Sequence, residues 1–207
     1  MSEPTKLILR KARASDAAGL EKLYRVVAGV PGGIARTPRE VGPEYISAFL
    51  NASLKNGLIV VAENAKAGIL CGSIHAYRPD PAAFSHILSS LTIVVHPDYQ
   101  GQGVGRQLFS YFLETIQKAH RDILRIELLV RESNLRGILL YETLGFVREG
   151  RLEHRIQRVG GGYEADISMA WLNPRFKAAD LRARGGRKKP VGAKLKRGAT
   201  KVRGART

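Results

Sequence analysis

The sequence predicts a mixed α/β domain followed by a basic tail. Strand-like and helix-like segments alternate in the order β-α-α-β-β-β-α-β-α-β-β, and 44% of the 207 residues are hydrophobic, which suffices for a buried core. Positive charge is concentrated at the end of the chain. We therefore predict one domain over residues 1–173 and a basic, disordered tail over residues 174–207.

The first third of the domain begins with a strand and two helices. Residues 6–12 alternate between apolar and polar side chains, as in a half-buried strand. Ser15 and Asp16 then offer capping oxygens to a first amphipathic helix. Glycines and prolines in residues 28–43 predict a long loop, and residues 44–55 predict a second helix.

The middle of the domain supplies the central strands. Residues 58–64 and 68–77 are strand-like runs separated by a short polar turn, which predicts a hairpin. Residues 87–95 predict the fourth strand, and residues 123–130 predict the fifth. Between them, a helical pattern begins at Gly103 and continues to about residue 120.

The last part of the domain predicts a helix and a hairpin. The fourth helix covers residues 134–144. Two further strands, over residues 146–159 and 163–172, flank three consecutive glycines at 160–162, which predict a tight turn.

Composition excludes several classes of protein. The single cysteine, Cys71, rules out an internal disulfide and suits a reducing compartment. No segment approaches the roughly 20 apolar residues of a membrane span, and the N-terminus does not resemble a signal peptide. We therefore expect a cytoplasmic protein without membrane contact. The five histidines lack cysteine partners at zinc-binding spacing, so no metal site is predicted.

The tail accounts for most of the net charge. Residues 174–207 hold 13 of the 34 Lys and Arg residues and one of the 18 acidic residues, and so carry +12 of the total +16. Such a tail binds polyanions through counterion release, which makes nucleic acid or the ribosome a candidate partner. The alternative is a solvated extension without a specific partner.

A glycine-rich loop joins the fourth strand to the third helix. It runs Gln100-Gly101-Gln102-Gly103-Val104-Gly105-Arg106. Glycines permit a positive φ and close approach of a ligand, while N–H groups at a helix start attract an anion. Backbone amides of this loop therefore predict a phosphate site, to which Arg106 adds charge. The alternative is a plain turn, because the loop fits neither the P-loop nor the dinucleotide-binding pattern.

In its context the loop resembles the acetyl-CoA motif of the GNAT superfamily of N-acetyltransferases. Gln100, Gly103 and Gly105 match the motif, and Val95 and Pro97 stand where the preceding strand ends. A second landmark of the family follows downstream, and it consists of Asn134, Tyr141, Gly145 and Phe146. The closing residues 149–172 resemble the branch that acetylates amino acids and amines.

The resemblance implies a mostly antiparallel central sheet, with helices on its flanks and a splay between strands 4 and 5. The pantetheine arm of acetyl-CoA would lie in that opening and pair with backbone groups near Ile93 and Val95. The Val95 N–H would face the thioester oxygen, where negative charge develops during attack.

Two motif residues have both a functional and a structural interpretation. The resemblance implies that Tyr141 donates a proton to the departing thiolate of CoA, whereas a tyrosine on an amphipathic helix is ordinarily a core residue. Asn134 either contacts CoA or caps the fourth helix, and the sequence does not distinguish these roles.

The general base, which would take the proton from the attacking amine, has several candidates. Family members often carry an acidic residue early on the fourth strand, but Ser89 and Ser90 stand there in this chain. Glu127 on the fifth strand is our candidate, with three further residues behind it: His86, His154 and Tyr163. We expect the acceptor pocket between the loop at residues 28–43 and the hairpin around Gly160, because loops carry specificity.

These interpretations predict an enzyme that transfers an acetyl group from acetyl-CoA to a primary amine. The acceptor would be an amino acid, a small amine, or a protein N-terminus or lysine, and the oligomeric state is left open. The alternative is a binding protein for nucleic acid or the ribosome, with a catalytically degenerate acetyltransferase domain.

Overall fold

The computed structural model of this chain describes residues 7–158 and 160–180. Within these ranges the chain forms four α-helices, which are α1 (Ala17–Ala28), α2 (Pro43–Asn56), α3 (Val104–Ala119) and α4 (Leu135–Thr143). The same ranges contain seven strands, which are β1 (Leu7–Lys11), β2 (Gly57–Asn64), β3 (Ile69–Tyr77), β4 (Ile87–Val95), β5 (Arg125–Arg131), β6 (Val147–Gln157) and β7 (Tyr163–Leu172). The predicted number and order of elements are thus confirmed.

The strands form one sheet in the order β1-β2-β3-β4-β5-β7-β6. Neighbours are antiparallel except β4 and β5, which run parallel. Only Ile87 and Leu88 of β4 pair with β5, opposite Arg125 and Ile126. The rest of β4 diverges from β5, so the predicted splay between the fourth and fifth strands is confirmed.

Helices cover both faces of the sheet. The apolar face of α3 carries Leu108, Phe109, Phe112 and Ile116, which are fully buried in one core together with side chains of β2 to β5 and α4. A second core joins α1 and α2 to β2. Because each helix buries one apolar stripe against the sheet, the two halves of the sheet are held firmly on either side of the splay.

The strand β4 changes direction at a bulge. Ser90 has φ of 53°, and the register with β3 shifts between His75 and Tyr77. A bulge of this kind bends a strand and re-aims its side chains. It lies where β4 leaves β5, and therefore contributes to the opening of the sheet.

The first helix departs from its predicted cap. Asp16 occupies the N-cap position of α1, but its side chain makes no capping bond to that helix. Its carboxylate instead accepts hydrogen bonds from the guanidinium of Arg10 at 2.8 Å and from the Arg13 N–H at 2.7 Å. These bonds hold the pKa of Asp16 below its usual value, with the Arg10 bond as the main cause.

The described part of the chain continues past the predicted domain boundary at Asn173. The Asn173 side chain donates to the Ile123 carbonyl at 2.9 Å, and the Lys177 N–H donates to the Arg121 carbonyl at 2.8 Å. The predicted tail begins at residue 174, and its residues 181–207 lie outside the described ranges, so the tail remains a prediction. Within the described ranges, no helix combines the length and apolar character needed to cross a bilayer.

Candidate active site

A cleft of about 710 Å³ lies where β4 and β5 separate. One wall comes from β3, β4, α2 and the loop at residues 32–36, and the other comes from β5, α4, β6 and β7. The loop that sequence analysis assigned to the acceptor pocket therefore lines the cleft. The glycine turn at residues 160–162 does not line it, and Ile156 of β6 contributes instead.

The free edge of β4 turns alternate backbone groups toward this opening. The His96 N–H donates to the Cys71 carbonyl at 2.9 Å, and Val94 lies opposite Ser73 in the same ladder. Antiparallel ladders alternate, so residues two apart bond to the same neighbour. The backbone groups of Ile93 and Val95 consequently point away from β3 and toward the space between the separated strands.

The glycine-rich loop forms a second, smaller cavity of about 270 Å³ beside the start of α3. Gly101 and Gly103 have φ of 74° and 78°, in the left-handed region that favours glycine. The first backbone bond of the helix runs from the Gln107 N–H to the Gly103 carbonyl. The N–H groups of the preceding turn therefore have no acceptor within the helix, and the helix dipole adds positive potential.

Three polar side chains shape this loop. Gln100 donates to the Val95 carbonyl at 3.0 Å, which ties the loop to the end of β4. Gln102 donates to the Asp98 carbonyl at 2.7 Å. Arg106 lines the small cavity and donates to the Thr143 hydroxyl at 3.2 Å, so its guanidinium is directed toward the end of α4.

Tyr141 of α4 lines the large cleft while its ring is packed in the core. The residue is 7% exposed, and its ring centre lies 5.4 Å from that of Phe109 and 6.1 Å from that of Phe146. Burial raises the pKa of its phenol to about 12. The hydroxyl is therefore protonated, and able to donate a hydrogen bond, throughout the neutral pH range.

Asn134 caps α4 and also lines the cleft. Its side-chain oxygen accepts a hydrogen bond from the Gly137 N–H at 2.9 Å, which is the usual N-cap arrangement. The capping role left open by the sequence is thus present. A contact with a ligand in the cleft remains compatible with it, because the residue lines the cavity.

We predict that Asn134→Ala lowers the free energy of unfolding by about 1 kcal/mol, because α4 loses its cap. Asn134→Asp keeps a capping oxygen and should restore most of that stability. Urea denaturation of the three proteins measures the effect. If the alanine variant were as stable as the parent, the hydrogen bond to Gly137 would contribute nothing to the fold.

Of the four candidate bases, Glu127 is the one that lines the cleft. It lies on β5 and accepts a hydrogen bond from Arg125 at 3.0 Å. His86 lies just before β4, where its carbonyl accepts the Leu124 N–H at 2.8 Å. His154 and Tyr163 are exposed on β6 and β7, outside the lining of the cleft, so the structure does not bring these three together with Glu127.

The cleft also contains a row of rings that sequence analysis did not single out. His75 of β3 is 2% exposed, stacks on Phe49 of α2 at 4.1 Å, and is hydrogen-bonded through Nδ1 to the Tyr24 hydroxyl at 2.9 Å. Burial lowers the pKa of His75 to about 3, so the ring is neutral at physiological pH. Tyr45 and Tyr77 extend the row at either end.

A local signal for this row was present in the sequence. Tyr45 and Phe49 are four residues apart on one helix, and His75 and Tyr77 are two apart on one strand, so each pair shares a face. The meeting of the two pairs depends on the packing of α2 against β3, which local spacing does not reveal.

Known acetyltransferases resemble this chain in sequence and in fold. Residues 55–148 match the family model described as an acetyltransferase (GNAT) domain. The fold agrees, because a GNAT acetyltransferase from Streptococcus pneumoniae superposes with a TM-score of 0.72 at 25% identity, over 81% of this chain and 99% of that one. The chain is thus similar to GNAT acetyltransferases in sequence over this segment and in fold over most of its length. The predicted resemblance is therefore confirmed.

Further acetyltransferases are similar to this chain over different lengths. The [ribosomal protein bS18]-alanine N-acetyltransferase of Escherichia coli K12 is 40% identical over 78 residues, which is 38% of this chain and 51% of that protein. The chain thus spans about half the length of the curated relatives that it matches. A GNAT phosphinothricin acetyltransferase from Sinorhizobium meliloti, solved in complex with AcCoA, shares the fold with a TM-score of 0.72 at 19% identity, over 83% of this chain and 91% of that one.

Proposed function

We propose that this GNAT protein is an acetyl-CoA-dependent N-acetyltransferase that acts on a primary amine. The observation that carries the proposal is the opening between β4 and β5, which leaves the outward backbone groups of Ile93 and Val95 without a strand partner across a 710 Å³ cleft. Tyr141 lines the same cleft, and the glycine-rich loop follows β4 directly. An extended acetyl-CoA molecule and Tyr141, as the proton donor, would therefore meet in this cleft.

The residues of the small cavity suit the pyrophosphate of CoA. Two glycines with positive φ expose the backbone at the start of α3, and the first-turn N–H groups have no helical acceptor. Seven residues would contribute to holding the pyrophosphate, namely Gln100, Gly101, Gln102, Gly103, Val104, Gly105 and Arg106. Ile93 and Val95 would pair with the pantetheine arm through their backbone, and Asn134 would contact the ligand from the cleft wall.

The chemistry follows from the groups around the cleft. Acetyl-CoA, when bound, supplies an acetyl group as a thioester. The neutral amine of the acceptor would form the new C–N bond as the C–S bond breaks. The Val95 N–H would stabilise negative charge on the carbonyl oxygen, and Tyr141 would give its proton to the leaving thiolate.

The proton released by the amine requires an acceptor, since an α-amino group has a pKa of about 7.7–8.0 and a lysine amine about 10.4. We assign this role to Glu127, directly or through a water, because it lines the cleft and its carboxylate is held by Arg125. Arg125 also donates to Glu149 at 2.7 Å, so it joins β5 to β6 and orients the Glu127 side chain.

The family match favours the enzyme over the alternative of a degenerate binding protein. Gly103 and Gly105 of the motif line the small cavity, and the capping Asn134 and the buried Tyr141 line the large cleft.

We expect the protein to release CoA thiol from acetyl-CoA in the presence of a suitable amine, at a rate above its hydrolysis rate without amine. A thiol-release assay across free amino acids, small amines and peptides with free N-termini measures this. Mass spectrometry of the acceptor should find one added acetyl group. Absence of amine-dependent release with every class of acceptor, despite acetyl-CoA binding, would contradict the proposed activity.

A further inference from the structure

One wall of the cleft, formed by β3, β4, α2 and the loop at residues 32–36, is the one we call the acceptor wall. It holds Arg36, for which the described residues show no ion pair. Four charged side chains line the cleft, namely Arg36, Glu127, Arg131 and Asp166. The last three are paired, with Arg125 at 3.0 Å, Glu164 at 2.9 Å and Arg155 at 3.1 Å respectively. Within residues 7–158 and 160–180, Arg36 makes no ion pair within 4.0 Å.

Arg36 is oriented by an aromatic ring. Its guanidinium carbon lies 4.1 Å from the ring centre of Tyr45, in a cation–π arrangement. Arg36 also hydrogen-bonds the Tyr45 side chain. A guanidinium has five N–H donors, so others remain that can bind a carboxylate through two parallel hydrogen bonds. Glu40, on the same loop, does not use them, because its carboxylate accepts from the N–H and hydroxyl of Thr37 at 2.7 and 2.8 Å.

The surface next to Arg36 is apolar and aromatic. Tyr45 meets Phe49 at 5.3 Å, and Phe49 stacks on His75, which is neutral. Two apolar side chains, Ile34 from the loop and Leu129 from β5, face the same cavity. Leu129 is 44% exposed, so a ligand that covered it would remove apolar surface from water.

We propose that the acceptor is a free α-amino acid with a large apolar side chain, and that Arg36 binds its carboxylate. This rests on the proposed function, which supplies the reaction at the amine. The carboxylate of the acceptor neutralises the charge of Arg36, and its side chain packs on the accessible apolar surface of Ile34, Tyr45 and Leu129. Its amine then lies toward Glu127, a carboxylate carried by the other half of the sheet. A peptide N-terminus lacks the α-carboxylate and cannot make the Arg36 contact.

The test compares acceptors with and without a carboxylate on the full-length protein. We expect kcat/KM for L-phenylalanine to exceed that for L-phenylalaninamide, and to exceed that for glycine by at least about 10-fold because of the buried ring. Arg36→Gln should lower the ratio of kcat/KM for L-phenylalanine over its amide by about 10- to 100-fold, mainly through KM, since a hydrogen-bonded charge is lost. Arg36→Lys should restore part of the ratio.

Arg39→Gln is the matched control. Arg39 is an exposed arginine of the same loop that does not line the cleft, so its loss should leave the ratio unchanged. If the amide or an alanine-first peptide were acetylated as well as L-phenylalanine, or if Arg36→Gln left the ratio unchanged, the inference would be wrong while the acetyltransferase activity stood. Absence of acetylation of every amine would instead overturn the proposed function.

Discussion

Gly103→Glu should weaken the binding of acetyl-CoA by roughly 100-fold or more. A carboxylate at the start of α3 would stand against the pyrophosphate, and like charges about 4 Å apart near a protein surface repel by about 4 kcal/mol. Gly103 also has φ of 78°, where any side chain adds strain. Isothermal titration calorimetry of both proteins with acetyl-CoA measures the change.

Two further variants separate charge from strain. Gly103→Ala introduces the strain without the charge and should weaken binding much less, because nothing but the end of the Gln107 side chain lies within 4 Å of the added carbon. Gly68→Glu makes the same change at another glycine with positive φ, in the turn between β2 and β3. It should leave the affinity for acetyl-CoA unaltered. Equal affinity of Gly103→Glu and the parent protein would remove the glycine-rich loop from the proposed binding site.

Much of the fold could be predicted because its elements carry local signals. The helix α3 has one apolar stripe that includes Leu108 and Phe112, and the strands consist of short apolar runs between glycines and polar turns. The N-cap of α4 could also be anticipated, since the Asn134 oxygen bonds an N–H only three residues away. Interactions between residues three or four apart can be predicted from the sequence alone.

Other features depend on contacts between different helices and strands. Asp16 stood where a capping residue was expected, yet its carboxylate is bonded by Arg10 of β1, because a charged donor competes successfully with the helix N–H groups. The hydrogen bond between Tyr24 and His75 joins residues 51 apart. Neither contact has a sequence spacing that could have indicated it.

The acceptor wall was missed for the same reason. Its loop was expected at the acceptor pocket and lines the cleft, but irregular segments have no periodicity from which side-chain directions could be inferred. The stacking of Arg36 on Tyr45 becomes visible only once the loop is folded over α2. Glu127 was the candidate base from the sequence, but its place in the lining of the cleft depends on how far β4 diverges from β5.

The second large effect concerns the proposed proton donor. Tyr141→Phe should lower kcat by about 10²- to 10⁴-fold, the usual range for loss of general acid help, while acetyl-CoA affinity changes only a few-fold. The ring packs against Phe109 and Phe146, and phenylalanine preserves that packing. Steady-state kinetics with an accepted amine, together with thermal unfolding of both proteins, measures the two consequences.

The raised pKa of the Tyr141 phenol fixes how this loss depends on pH. Because burial raises the pKa of Tyr141 to about 12, the phenol stays protonated well above neutral pH. Its contribution should therefore be constant across the neutral range, and the wild-type and Tyr141→Phe profiles should run parallel there on a logarithmic scale. The control is Tyr111→Phe, which removes the hydroxyl of a partly buried tyrosine on α3 that does not line the cleft and should leave kcat unchanged. A Tyr141→Phe protein with the kcat of the parent would mean that Tyr141 only packs in the core, and that the leaving thiolate is protonated by another group or by solvent.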